Sequence, residues 1–465
     1  MSTTEDRVAA ASQQVSNAGS VAAKGPQALS RGDFLLASSF FLLVGVNSLI
    51  AWNITLNLNP YFSTHYFSGE EWGNTLLAMF QLACVFCQLY LLKFGTGGPN
   101  KLYFYYAAAV NVVTFVVFTP LVVYLPQTAA IACMHICCFF LGIGCGVLQG
   151  GGFPYAASLP YNFCGFISTG QGLAAILSFV WNTFFAFVCF DLDTPEGVEK
   201  MAWASYCFAA CLSVLYFAMF LVILKKPWAQ SPFERQVLED VGAKGDKAMQ
   251  AVDGKKGDRE AQYEHQDDGT FAGTAHTSTV DVESGERVDG TEKRPARVFL
   301  LCAAPHFLNI GVTFFITLNN FPRIGPVGWN YNQQIANHFI ILFGAYALGE
   351  FVGRFFPDLS QLCPKYFSWT MIPPKLVVPL ALLRAVFYVP FFLGYKLHDT
   401  QVVNDFWFYF IIMLLFAFTH GWFCTLGFVY SMTSVRESER GVTAPLSVLS
   451  LSAGILAGLY LALAY

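Results

Sequence analysis

The chain has 465 residues, of which 55% are hydrophobic and 12% charged, and 26 basic against 30 acidic side chains leave a net charge of −4. A soluble domain carries about 25% charged residues, so this composition excludes a chain of this length with water on all sides. No basic patch follows phosphates, which excludes nucleic acid as a partner.

Residues 1–32 are polar and rich in Ala, Ser and Gln, and are expected to be a disordered tail. They hold no apolar stretch followed by a cleavage site, so the first hydrophobic helix is expected to direct insertion. A spanning helix needs about 20 mainly apolar residues. Such runs fall at 34–56, 72–92, 102–125, 129–150, 164–190 and 202–224, then at 297–320, 333–356, 375–395, 404–431 and 442–464. The fold class is therefore an all-α integral membrane protein with eleven spans, six plus five. Between the groups, 225–296 is rich in Lys, Asp, Glu, Gly, Gln and Thr and is expected to be a disordered loop. The domains are then a tail at 1–32, a six-helix bundle at 33–224, the loop, and a five-helix bundle at 297–465.

Lys and Arg set the orientation. Arg31, Lys93, Lys101, Lys225, Lys226, Arg294, Arg297, Lys365, Lys375, Arg436 and Arg440 fall on one side, and Lys200, Arg323 and Lys396 on the other. The N-terminus and central loop are thus expected in the cytoplasm and Tyr465 outside. The run Gly150-Gly151-Gly152-Phe153-Pro154 is a place for the fourth helix to bend or break. Stripes of small residues at Gly142, Gly146 and Gly150, at Gly349 and Gly353, and at Gly454 and Gly458 suit close helix packing. The 13 Cys residues are scattered without zinc spacing and read as small buried apolar groups, so no metal and no cofactor is expected.

Charges inside a bilayer are costly and mark function by default. Three fall in the mapped spans: Glu350, Arg354 and Arg384. Glu350 and Arg354 share a helix face at a spacing of four and can pair. The pair reads either as a packing lock or as the lining of an aqueous cavity, where Glu350 is also a candidate for proton coupling. Arg384 reads either as a gating group or as a side chain that snorkels to the interface. Trp52, Asn53, Asn57, Asn59, Gln81, Gln88, Gln149, Gln171, Asn182, His306, Asn309, Asn319, Asn320 and His420 add polar groups. Aromatic faces and amides suit a planar heteroaromatic solute, which stacks on a ring and meets an amide edge to edge. Any one amide serves equally well as a bond between helices. No HExxH, paired aspartates or Ser/His/Asp grouping points to an enzyme. No ring of like charges points to a channel, which stays an alternative beside a carrier of another small polar solute.

Several of these stretches, in order, resemble the equilibrative nucleoside transporters. They are Trp52-Asn53 with Tyr61-Phe62, then Leu148-Gln149-Gly150 with Phe153 and Leu159-Pro160. Gly170-Gln171-Gly172-Leu173-Ala174 follows, then Gly353-Arg354 with Glu350 three before the Gly, then Arg384 with Pro390, and Phe416-Ala417-Phe418-Thr419-His420-Gly421. The resemblance implies a major-facilitator-like carrier of two bundles that rock around a midplane site. It also implies a monomer in the plasma membrane. It places Trp52 and Gln149 at the base, and Glu350 and Arg354 in recognition and transport; Asn53 and Gln171 join them as candidate substrate contacts. The family pattern Phe-Asn-x-x-Asp-x-x-Gly-Arg reads here Tyr346-Ala347-Leu348-Gly349-Glu350-Phe351-Val352-Gly353-Arg354. Ala347 removes an amide partner for ribose. Purine nucleobases are therefore expected as substrates as well as, or instead of, nucleosides, with protons as a candidate second partner.

Overall fold

A computed structural model describes residues 29–67, 72–94, 98–234, 294–321, 338–396 and 405–462. Eleven helices among them are long and apolar enough to cross a membrane. We number them α1 (Arg31–His65), α2 (Trp72–Phe94), α3 (Lys101–Tyr124), α4 (Gln127–Ala157), α5 (Cys164–Phe184) and α6 (Pro195–Ile223). After them come α7 (Ala296–Asn320), α8 (His338–Phe355), α9 (Pro374–Lys396), α10 (Phe406–Thr433) and α11 (Arg440–Ala462). Side chains satisfy the free amides at several starts: Ser30 accepts from Asp33 N, Thr194 from Gly197 N ahead of Pro195, and Asp405 from Phe408 N.

The helices depart from the expected spans where polar residues find partners. α1 runs past Asn57 and Pro60 to His65, because Asn57 donates to Ser178 Oγ on α5 and His65 meets the Leu192 carbonyl. α4 does not break at Gly150–Gly152 and continues to Ala157, with its glycine face against α2. α6 starts at Pro195, where Glu196 and Lys200 pair on the exposed first turn. The chain after α8 continues through a 3-10 turn, Phe356–Asp358, so the apolar span reaches Leu362. Its expected start at 333 lies outside the described residues. So do 1–28 of the expected tail and 235–293 of the expected loop. Residues 227–234, expected to be disordered, form a short helix. Its Ala229 carbonyl accepts from Tyr155 Oη at 3.0 Å, and its Phe233 packs 4.5 Å from the Tyr155 ring. A few buried apolar residues suffice to hold an otherwise polar sequence there.

Glycines set the closest helix approaches. A Cβ at Gly142 would overlap the Phe80 carbonyl, one at Gly146 would meet Cys87 at 2.8 Å, and one at Gly150 would overlap Leu91, so these three seat α4 on α2. Gly349 and Gly353 seat α8 on α10 against backbone at Leu414 and Phe418. Gly454 and Gly458 seat α11 on α7. In lipid, such contact is what holds helices together.

The apolar core is divided by depth. One cluster joins the first six helices to the last five through Phe41, Phe153, Phe163, Phe428, Val448 and Ile455. It lies at the end where α1 and α11 start and α6 and α10 finish, which is also where residues 234 and 294 lie. We call this the central-segment end. Toward the opposite end the core splits. Ile50, Phe62, Phe118 and Tyr206 cluster within the first six helices, and Leu342, Phe391, Tyr409 and Phe416 within the last five.

Candidate functional site

α5 carries the polar face that meets α8. Its sequence Ser168-Thr169-Gly170-Gln171-Gly172 alternates hydroxyls and an amide with glycines, and the glycines allow close approach on both sides. Gly170 lies against Leu42 and Gly45 of α1, while Gly172 lies against Phe351 and the Arg354 side chain of α8.

Arg354 Nε and Nη2 donate to Glu350 Oε1 at 2.9 and 2.8 Å, the i, i+4 pairing expected from sequence. Its Nη1 crosses to α5 and donates to Ser168 Oγ at 3.0 Å and Gln171 Oε1 at 3.1 Å. Ser168 in turn meets Thr425 Oγ1 of α10 at 2.7 Å. Arg354 is sealed, whereas the Glu350 side chain keeps 13% exposure. One guanidinium thus ties three helices together and leaves the carboxylate as the reachable end of the pair. Gln171 Nε2 has no hydrogen-bond partner, so a buried donor beside Arg354 is unspent.

Arg384 does not snorkel. It is 2% exposed and makes four hydrogen bonds, to Thr419 Oγ1, the Thr313 carbonyl, Thr317 Oγ1 and the Phe416 carbonyl. The α9 backbone tightens into a 3-10 turn at Arg384–Phe387. Among the described residues no carboxylate pairs with it, so oxygen dipoles and the Phe416 ring, 5.1 Å from its guanidinium carbon, balance its charge. Thr317 donates to the Thr313 carbonyl and accepts from Arg384, and it lies 2.9 Å from His420 Nδ1. With the single Thr317 hydrogen on that carbonyl, the network assigns the proton to Nδ1 of His420, which then donates to Thr317. The other ring nitrogen, Nε2, stands 3.7 Å from Glu350 Oε1. Glu350 therefore sits between Arg354 and His420.

Trp52, Asn53 and Gln149 make their contacts within the first six helices. Trp52 stacks on Phe80 with ring centroids 5.3 Å apart. Asn53 donates back to the Leu49 carbonyl of its own helix. Gln149 is buried, donates to Cys145 Sγ and has an Oε1 without a partner. Gln88, Asn309 and Asn319 bond to carbonyls of neighbouring helices, so for these amides the helix-bridging reading fits.

Sequence reasoning missed Ser168, Thr169, Thr313, Thr317, Thr419 and Asp358. Asp358 is 1% exposed, so Glu350 is not the lone acid inside the bundle. Its signal was present: it follows Arg354 by four residues, as Arg354 follows Glu350. The expected span stopped at 356, two residues short.

A model of the nucleoside transporter family matches residues 134–465. Two relatives, each named nucleoside transporter 1, are 22% identical. The one from Plasmodium vivax (strain Salvador I) aligns over 423 residues, 90% of this chain and 84% of its own. The one from Plasmodium falciparum (isolate 3D7) aligns over 424 residues, 90% and 83%. Among solved structures, the major-facilitator proton:xylose symporter XylE, bound to 6-bromo-6-deoxy-D-glucose, superposes with a TM-score of 0.52 at 15% identity. That match covers 92% of this chain and 86% of the symporter. The fold is thus that of a major-facilitator carrier, the chain is a membrane transporter, and it belongs to the nucleoside transporter family.

Proposed function

We propose that the chain moves purine nucleobases and nucleosides across the plasma membrane by alternating access, as a monomer and without chemistry on the solute. In this reading the central-segment end faces the cytoplasm and Tyr465 lies outside. The first six and last five helices act as two bundles, divided at residues 225–296. The observation that carries the reading is the Glu350–Arg354 pair braced on Gln171 between α5 and α8. Glu350 is partly open and the Gln171 amide keeps a free donor. A purine offers that donor a ring nitrogen or carbonyl, and it offers Glu350 an N–H. Gln149 supplies a second unspent atom, an acceptor suited to an exocyclic amine. Trp52 supplies a ring face on the first bundle. Ala347 leaves α8 without the amide that the family pattern places there, which supports nucleobases beside nucleosides.

Uptake of radiolabelled adenosine, inosine, adenine, hypoxanthine and uridine in transporter-deficient cells tests this. Saturable purine uptake that Glu350→Gln or Arg354→Ala abolishes at normal surface expression supports the reading. Unsaturable flux with single-channel currents would return the chain to the channel alternative.

A further inference from the structure

The contacts around Asp358 fit a protonated acid. Its Oδ2 lies 2.8 Å from Thr169 Oγ1, and the same hydroxyl lies 3.0 Å from the Arg354 carbonyl oxygen. A threonine hydroxyl has one hydrogen to give. It cannot donate to the carbonyl and to a carboxylate together. Both short contacts are hydrogen bonds only when Asp358 is the neutral acid. Its O–H then donates to Thr169, and Thr169 donates to the carbonyl.

The surroundings agree. Asp358 Oδ1 has no hydrogen-bond partner and lies against Gly165, where a Cβ would collide with it. Among the described residues no cation pairs with it. Arg354, on its own helix, is spent on Glu350, Ser168 and Gln171. Arg440, at the start of α11, gives its donors to the Ala157 and Met432 carbonyls. Cys164 is the titratable group that α5 brings close to both Asp358 and Arg440. α10 contributes uncharged Thr425, which also reaches the Arg354 carbonyl. A carboxylate sealed among these groups would keep its charge without compensation, which is costly.

Asp358 also sits where the two halves meet. Gln361, three residues on, donates to the Asn162 carbonyl at 3.0 Å, and Arg440 reaches across to Ala157 at 2.8 Å. Phe153 stacks on Phe428 at 4.4 Å. All of these hold the central-segment end shut.

We propose that Asp358 is a proton-binding site that ties closure of the central-segment end to uptake of one proton. When the end parts, Asp358 leaves Thr169, meets water and releases that proton to the same side. Acid on that side therefore favours the closed form. The proposal rests on the alternating-access reading and is independent of which solute is carried.

The test is a distance titration in lipid nanodiscs without substrate. Spin labels carried by noncanonical amino acids replace exposed Tyr161 and Tyr366, which flank the closure on its two sides. Double electron–electron resonance then measures the closed fraction from about pH 5.5 to about pH 8.5. The wild type should open as pH rises, with the closed-to-open ratio falling by up to about tenfold per pH unit, as one proton allows. Asp358→Asn, whose amide can still donate to Thr169, should stay closed throughout. A wild-type distribution that ignores pH overturns the proposal, and that result needs no variant to fold. A titration retained in Asp358→Asn overturns it as well. Normal titration in a chain that takes up no purine supports the latch and overturns only the proposed substrate.

Discussion

Replacing Arg354 by Met separates a packing role from a transport role, provided that it is combined with Glu350→Gln. Alone, Arg354→Met deletes both bonds to Glu350, at 2.9 and 2.8 Å, and those to Ser168 and Gln171. It strands a carboxylate that is only 13% exposed. Breaking one side of a buried pair costs about 3–5 kcal/mol, and 3 kcal/mol is more than about 100-fold in an equilibrium. Glu350→Gln alone strands the sealed guanidinium, which keeps its Ser168 and Gln171 acceptors and so loses less. The double variant leaves no unpaired charge. Met fills most of the volume of the arginine stem, so stability should return to within about 1–2 kcal/mol of the wild type. Thermal stability in detergent, read by fluorescence size-exclusion chromatography, should therefore rank wild type and double variant above Glu350→Gln, with Arg354→Met lowest. Purine uptake should be lost in all three variants. A double variant that is stable and transports at the wild-type rate would show that the pair only packs α5 against α8.

Three further substitutions probe the neighbouring parts. Gly353→Ala places a methyl into the Phe418 carbonyl, where rigid backbone cannot yield. It should cost about 1–3 kcal/mol or more and reduce the monodisperse fraction in detergent. Gln149→Leu removes an unspent buried acceptor without touching a helix contact made by oxygen. It should change the order of preference among purines, measured by competition, more than it changes surface expression. Arg384→Lys keeps the charge but cannot reach Thr419, Thr317 and two carbonyls at once. Losing one charged bond of about 1.5–3 kcal/mol should lower uptake at least about tenfold, and normal uptake would make Arg384 a bystander.

The helices were legible because twenty apolar residues in a row have few other uses, and the glycines spaced by four lie on faces that touch. The ion pair was legible from the same spacing. Arg384 was ambiguous because sequence gives depth along one helix but not the neighbours. Snorkelling was excluded only once Thr313, Thr317, Thr419 and the Phe416 carbonyl were seen around it. Asp358 was missed because hydropathy ends a span at the first proline and acid together. The structure carries the apolar span past both through a 3-10 turn. The hydroxyls of α5 and α7 were invisible for another reason. Ser and Thr are common in membrane helices, and only the bond from Arg354 sets Ser168 apart from Ser178, which pairs with Asn57 instead.

The two kinds of contact in this bundle differ in how readily they let go. Within each half, Gly142, Gly353 and Gly454 bring backbones together so closely that any sliding meets repulsion at once. Across the seam, the halves are joined mainly by side-chain hydrogen bonds: Gln361 and Arg440 to carbonyls, Arg354 to Ser168 and Gln171, Thr169 with Asp358 and the Arg354 carbonyl, and a Ser168–Thr425 hydroxyl pair, with one aromatic stack and one close glycine approach, Gly172 on α8. Each such bond contributes about 0.5–1.5 kcal/mol net, or more from an arginine, and a stack a similar amount beyond its buried area. When the end opens, water replaces most of the hydrogen bonds at little net cost. A gap of a few kcal/mol between open and closed forms is what a carrier needs, because a solute shifts the balance only by its difference in affinity for the two. The two ionisable groups at the seam then have distinct tasks. Arg354 has its Glu350 partner on its own helix, four residues away, while Asp358 has no partner but a hydroxyl on the other half. Of the two acids, Asp358 is the one whose surroundings must change each time the halves part.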